Sequence, residues 1–374
     1  MFKRIWSLAA KEFLHLLHDW WMPSFMLFGG VIELLAVGWA TSRPMTNLPL
    51  MVLDQDRSAA SRAIVTALEN TGTFAFEAQA SNMATIQDAL DRSKVNAAVI
   101  IPPGFDSKLA SPTGRPSLAV LLNGAESTPA TAALRAVTGA VREMGQRIAL
   151  RRLGLDADEF AGFDASLRVW FNEALNEAFY TTPAELGLML EFTTLLFAAL
   201  SFSRERELGT LEQLLVMPFS SLEIIIGKSI PTILVAFSDF VLMLGAVHFV
   251  FGIPVRGSLI LLLALAFGYL LVELSKGLVI SVVSRSQHQA FLLVMMVGMT
   301  DFMFTGYAAP VESMPRVMQI VANVVPAHHW LTILRGILLK GAGLDVLWPN
   351  ILALAVLGLV IGTFSLRYVR RALD

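Results

Sequence analysis

Apolar and polar positions follow two regimes along the chain: long unbroken apolar runs, and short runs interrupted by charged and turn-forming residues. The long runs lie at Met22 to Ala40 and, in the second half, at about 184–203, 224–251, 258–283, 290–309 and 347–366. Apolar runs of this length with few charges read as helices that cross a bilayer. Trp20 and Trp21 precede the first run and Trp39 falls near its end. At 1.5 Å per residue the rise from Trp21 to Trp39 is about 27 Å, close to the hydrocarbon thickness, with indoles at both interfaces. A secretory signal has an apolar core of only about 7–15 residues and a small-residue cleavage site. No such site follows here, so residues 22–40 are expected to form an uncleaved first span. Before it, residues 1–21 predict an interfacial helix: Ile5, Trp6, Leu8, Ala9, Phe13, Leu16 and Leu17 gather near one face, with Lys3, Arg4, Lys11 and Glu12 elsewhere.

Residues 41–182 have the other pattern. Leu48 to Leu53 reads as a strand, Asp54-Gln55-Asp56-Arg57-Ser58 as a turn and helix start, and Ala59 to Asn70 as a helix stopped by Gly72. Strands at Phe74 to Ala78, Ala97 to Ile101 and Leu118 to Leu122 are expected, with helices at Met83 to Arg92 and from about Pro129 to Leu153. Such alternation predicts a small α/β layer domain inserted between the first and second spans. The remainder, 183–374, is the rest of the membrane domain.

Composition sharpens this division. The 374 residues are 55% hydrophobic and 16% charged, against about 25% charged in soluble domains, and the mean hydropathy is +0.63. The 41–182 stretch holds 13 basic and 15 acidic residues, nearly half of all charges in the chain. A net charge of −2 excludes a strongly basic nucleic-acid binder. The absence of cysteine excludes disulfides and thiolate chemistry. Six spans place both termini on one side. If that side is the cytoplasm, the inner segments carry Lys3, Arg4, Lys11, Arg204, Arg206, Lys228, Arg285, Arg367, Arg370 and Arg371, against Arg43, Arg256, Arg316, Arg335 and Lys340 outside. This bias follows the positive-inside rule and puts the 41–182 domain outside.

Candidate chemistry is sparse. Gly227-Lys228-Ser229 ends like a phosphate loop, but Leu222 stands where its first glycine is needed, so the chain is not expected to bind ATP itself. His328 and His329 are adjacent and unsuited to an i, i+4 metal pair, and 41–182 contains no histidine, so no metal site is expected. Six ionisable side chains stand out within apolar runs: Glu33, Glu191, Asp239, Glu273, Lys276 and Asp301. Each should face a partner helix or a watery path. Glu273 and Lys276, three residues apart, can neutralise each other. The others are either protonated or paired between helices. They line a translocation route favouring cationic or amphiphilic substrates, or they only join helices. Gly358 and Gly362 permit close helix packing.

Between the second and third spans, 204–218 reads as a short amphipathic helix. Arg204, Glu205, Arg206 and Glu207 lead, followed by Leu208, Gly209, Thr210, Leu211, Glu212, Gln213, Leu214 and Leu215, and Pro218 ends it. Its apolar edge suits a groove on a partner or, alternatively, the lipid headgroups. Pro310 to Gly341, with three prolines, reads as interfacial or re-entrant, since Val317 to Val325 is too short to span.

The chain resembles the permease subunits of ABC-2 type transporters, in the bacterial multidrug-exporter branch. The resemblance rests on Arg204 to Pro218, on Leu53-Asp54-Gln55-Asp56-Arg57-Ser58-Ala59-Ala60-Ser61-Arg62, and on Pro310-Val311-Glu312-Ser313-Met314-Pro315 with Arg335-Gly336-Ile337-Leu338-Leu339-Lys340-Gly341. It implies an α-helical half-transporter with six transmembrane helices and an extracytoplasmic, periplasmic α/β domain, set in the bacterial inner membrane. The resemblance makes 204–218 the coupling helix and 310–341, with Glu312, Met314, Pro315, Arg335 and Gly336, a pair of re-entrant helices in the outer leaflet. ATP and Mg would be held by separate ATP-binding subunits, and a second permease copy or paralogue would complete the pore. A periplasmic adaptor and an outer-membrane channel are the further partners implied. The alternatives are the same architecture exporting lipid or glycan, and a membrane-anchored assembly or sensor protein acting through its outer domain.

Overall fold

A computed structural model describes residues 2–18, 21–42, 46–111, 113–125, 127–152, 170–172 and 176–373. Trp20, Arg43 and Leu153, expected at the inner interface, beside the first span and at the end of the long outer helix, lie outside the described residues. The chain divides into two compact units, one of 44–167 and one combining 1–43 with 168–374.

The larger unit opens with α1 (Phe2–His18) and α2 (Trp21–Ser42). Within the apolar face of α1, Leu8 and Ala9 are buried while Trp6, Phe13 and Leu17 are exposed. Leu8 fits over Gly227, where an added Cβ would fall 2.8 Å from its Cδ2. Thus α1 is seated on protein through one edge, with its other apolar residues left for a different surface.

The smaller unit follows in the chain as β1 (Leu48–Asp54), α3 (Ala59–Glu69), β2 (Phe74–Gln79), α4 (Met83–Asp91), β3 (Ala97–Ile101), α5 (Phe105–Ala110), β4 (Ala119–Leu122) and α6 (Ser127–Arg152). The sheet order is β2-β1-β3-β4, with β1 parallel to both neighbours and β4 antiparallel to β3. Central β1 is covered on both faces, so it reads as a continuous apolar run. Leu48, Leu50 and Val52 join Ile64, Leu68 and Phe105 on one face; Met51 and Leu53 join Ile86, Ala89 and Val95 on the other. Ser58 and Asn82 start α3 and α4 by accepting the N–H groups of Ser61 and Thr85. The six-residue α5 is absent from the pattern-based expectation. Its first turn is held by Asp56, which accepts from the N–H groups of Phe105 and Asp106 at 2.9 and 3.0 Å.

The larger unit resumes with α7 (Ala178–Glu207), α8 (Leu211–Leu215), α9 (Ser221–Phe249), α10 (Leu259–Val283), α11 (Gln287–Phe304), α12 (Arg316–Ala322), α13 (Pro326–Arg335) and α14 (Leu344–Leu373). The most apolar stretch of α7 is 78% buried against its neighbours and that of α14 only 11%, so α7 is the axis of the bundle. Gly277 lets α10 close on it: a Cβ there would lie 2.5 Å from Ala198 Cβ and 2.9 Å from the Leu195 carbonyl oxygen. Gly358 likewise admits Val272 of α10, which places the Gly358/Gly362 face against a helix of the same chain.

Among the described residues, four helices, α7, α9, α10 and α14, are long and apolar enough to cross a membrane. A fifth is reached if α12 and the helical stretch from Pro326 to Lys340, bent by 82°, form one broken span. The six runs expected from the pattern therefore differ in length as helices. In α2 the apolar stretch is Leu27–Ser42. The run expected at 290–309 is an 18-residue helix that begins on Gln287, His288 and Gln289 and stops at Phe304. Gly306, at φ +84°, turns the chain where apolar composition continues.

Candidate functional site

Residues 204–218 do not form one helix, which corrects the boundary expected for this segment. Arg204 to Glu207 finish α7, Gly209 reverses the chain at φ +70°, and only Leu211–Leu215 form α8. The physical reason is the glycine, which closes α7 in the left-handed conformation before Thr210 can start another turn. Leu214 is buried and Leu211 half-buried. Leu208 is 64% exposed and Val216 84% exposed, and Gly209, Glu212, Gln213 and Pro218 share that open surface.

Beneath this surface is a knot of charges. Lys228, with no exposed side-chain area, donates to Glu12 at 2.8 Å, Glu205 at 3.3 Å and the Ser201 carbonyl at 3.2 Å. Lys11 also donates to Glu205, and the Thr210 hydroxyl donates to the same carboxylate. These groups border a cavity of about 360 Å³ that Arg204, Gln213 and Met217 help to line. Arg206 donates to the carbonyls of Val282 and Ser284 at the end of α10, a favourable place for a cation. Glu207 accepts from the Gln287 N–H at the start of α11. Arg4 of α1 donates to the Pro218 carbonyl. The segment, which begins in the last turn of α7, is thereby fastened to α1, α9, α10 and α11.

A second knot joins four of the six charges singled out in apolar runs. Lys276 Nζ lies 2.6 Å from Asp301 Oδ2, 2.7 Å from Glu273 Oε2 and 3.8 Å from Glu191 Oε1. Tyr269 donates to Glu191 Oε2 at 3.0 Å and stacks on Trp330, ring centroids 5.1 Å apart. Asp239 stands apart from this group, accepting from Thr193 at 3.0 Å, and Glu33 is exposed on α2. Two charges in these runs lie outside the six singled out: Lys228, read from the sequence only as an inner-side base, and Glu185. Both are buried; Glu185 accepts from the Tyr307 hydroxyl at 2.9 Å. A lysine one turn and more inside an apolar run was the available signal for Lys228.

The motif residues at 310–341 form a clamp. Arg335 donates to the carbonyls of Gly306 and Tyr180, and its guanidinium lies 3.8 Å from the centre of the Tyr180 ring. Gly336 admits Leu347, while Gln319 donates to the carbonyls of Glu312 and Met314, tying the loop before Pro315 to α12.

Comparison with known proteins adds a further finding. A family model described as "ABC-2 family transporter protein" matches residues 20–367. The chain is 28% identical over 371 residues to the Escherichia coli (strain K12) protein named "Probable multidrug ABC transporter permease YbhR", covering 99% of each chain. It is 26% identical over 375 residues to "Inner membrane transport permease YhhJ" of the same organism, covering 99% of this chain and 98% of the relative. To "Probable multidrug ABC transporter permease YbhS", also from that strain, it is 26% identical over 378 residues, covering 100% and 98%.

Proposed function

Because the chain belongs to the ABC-2 family of transporter proteins, we propose that its 204–218 segment is the surface on which an ATP-binding subunit acts. The chain is the permease subunit of an ABC exporter, a multi-pass inner-membrane protein, and ATP hydrolysis falls to separate subunits. In this reading those subunits hold ATP and Mg, and a second permease copy or paralogue completes the transporter. Six spans, with α2 and α11 among them, leave both termini in the cytoplasm and the α/β unit outside, where an adaptor leading to an outer-membrane channel meets it. The cargo is a drug or other amphiphilic small molecule.

One observation carries the coupling assignment: the exposed 208–218 surface, which continues from the end of α7, is fastened through Glu205, Arg206, Glu207 and Pro218 to four other helices. A push on it cannot be absorbed locally and must shift those helices together, which suits a change between two packed states. Replacing the exposed Leu208 and Val216 by Asp tests this. The variant should reach normal membrane levels yet lose co-purification with the ATP-binding subunit and lose export. Normal export by the variant would overturn the assignment.

A further inference from the structure

The Leu53 to Arg62 motif, which takes no part in the coupling surface, lies at the carboxyl end of β1. Parallel β2 ends beside it at Gln79. The helices that follow these two strands diverge: α3 packs with Leu48, Leu50 and Val52 on one face of the sheet, α4 with Met51 and Leu53 on the other. Neighbouring parallel strands whose next helices leave on opposite faces open a crevice outside their carboxyl ends, the usual place for a ligand in such sheets. Here the crevice measures about 970 Å³, enough for a small organic molecule, and lies wholly within the 44–167 unit.

The charge of this crevice is one-sided. Asp54, Arg57 and Arg62 are the ionisable residues that line it. The Asp54 carboxylate is already engaged: Oδ1 accepts the N–H groups of Asp56 and Arg57 at 3.0 and 2.8 Å, and Oδ2 accepts the Ser61 hydroxyl at 2.6 Å. Both arginines are exposed, and among the described residues no carboxylate pairs with either. Arg62 donates to the Arg57 carbonyl at 3.3 Å, which draws it onto the turn that carries the other arginine. Arg57 itself holds a left-handed backbone at φ +53°, uncommon for a residue other than glycine, and the bond from its N–H to Asp54 fixes it there. Each guanidinium has five N–H donors, so most remain unspent. Phe76, 44% exposed, supplies one apolar wall.

A guanidinium matches the paired oxygens of a carboxylate or phosphate, and such charge-assisted bonds are stronger than neutral ones. A cation would meet no unspent carboxylate here, and a wholly apolar molecule would strip water from the arginines without replacing it. We propose that this crevice binds a small organic anion through Arg57 and Arg62, a carboxylate or phosphate ester whose remaining body rests against Phe76. The site belongs to the α/β unit alone and stands independently of the coupling assignment.

The full chain in phosphatidylcholine nanodiscs, titrated with para-fluorophenyl phosphate and followed by fluorine NMR of the probe, tests this. The probe should bind and be displaced by inorganic phosphate or citrate, whereas neutral para-fluorophenol should not bind. Arg62→Gln and Arg57→Gln should each weaken the probe about tenfold, equivalent to about 1.4 kcal/mol. Arg135→Gln, on an exposed arginine of α6 that does not line the crevice, should leave binding unchanged. If Arg57→Gln disturbs the turn, Thr66→Glu serves instead: it keeps both arginines, lies one helical turn from Arg62, and should displace the probe by pairing with it. Phosphatidylglycerol added to the nanodiscs separates the sources of the anion, since displacement of the probe assigns a lipid headgroup and its persistence a soluble anion. Absence of probe binding, equal binding of the phenol and the phosphate, or wild-type affinity in both Arg62→Gln and Arg57→Gln would overturn the proposal.

Discussion

Replacing Lys228 by Met should destabilise the helical unit. The ammonium is wholly buried and holds Glu12 of α1 at 2.8 Å and Glu205 of α7 at 3.3 Å, besides the Ser201 carbonyl. Removing one partner of a buried ion pair costs about 3–5 kcal/mol, because the opposite charge is left uncompensated. The two carboxylates here retain 20% and 12% side-chain exposure, and Glu205 keeps Lys11 at 3.3 Å. The expected cost therefore falls below that range, about 2–3 kcal/mol, or a fall in Tm on the order of 5–10 °C. Tryptophan fluorescence during heating in nanodiscs reads it. The informative control is the triple variant Lys228→Met, Glu12→Gln, Glu205→Gln, which removes the orphaned charges with the ammonium and should recover most of the loss. A single variant within about 0.5 kcal/mol of wild type, or a triple variant no better than the single one, would refute the reasoning.

Two other perturbations test the packing and the α/β unit. Gly277→Val places a side chain 2.5 Å from Ala198 Cβ and 2.9 Å from the Leu195 carbonyl; overpacking of about 1–3 kcal/mol should appear as a lower Tm in the same assay, whereas Gly268→Val, at an open position, should leave Tm unchanged. The Ser58 hydroxyl, with the N–H groups of Phe105 and Asp106, holds the Asp56 carboxyl below the usual carboxylate range. Its contribution is present above the unfolded value of about 3.9 and is lost as pH falls through the lower folded value. Protease cutting within 102–112 of the full chain should therefore rise as pH drops below about 4, and Asp56→Asn should flatten that dependence.

What could be read from the chain follows from how local the cause is. An apolar run long enough to span a bilayer is recognisable whatever packs beside it, so α7, α9, α10 and α14 overlap the expected runs, their ends differing by up to about seven residues. The strands are legible for the same reason, since β1 needs only its own composition to be recognised as buried. Helix ends are less so. The break at Gly209 depends on one left-handed residue inside an otherwise helical pattern, and α5 depends on Asp56, about fifty positions earlier. The pairings inside the bundle were out of reach, because Lys228 meets a glutamate 216 positions away and Lys276 an aspartate 25 positions away on another helix.

The two charge knots look alike in a sequence, where each is a lysine and some carboxylates in apolar surroundings, but their partners separate them. Around Lys228 stand Lys11, Glu12 and Glu205, a formally neutral set in which Glu205 also accepts from Thr210. Such a set closes on itself, and its energetic preference is for one geometry, which suits a joint that passes force between α1, α7 and α9. Around Lys276 stand three carboxylates for one ammonium, with acceptor oxygens left open. A charge inside a membrane costs about 2.5–3.5 kcal/mol, so these groups are gathered where α7, α10 and α11 meet and one ammonium reaches all three carboxylates. Converting Asp301 to an apolar residue would take from Lys276 its shortest contact, so the set acts as a tie between α10 and α11 as well as to α7.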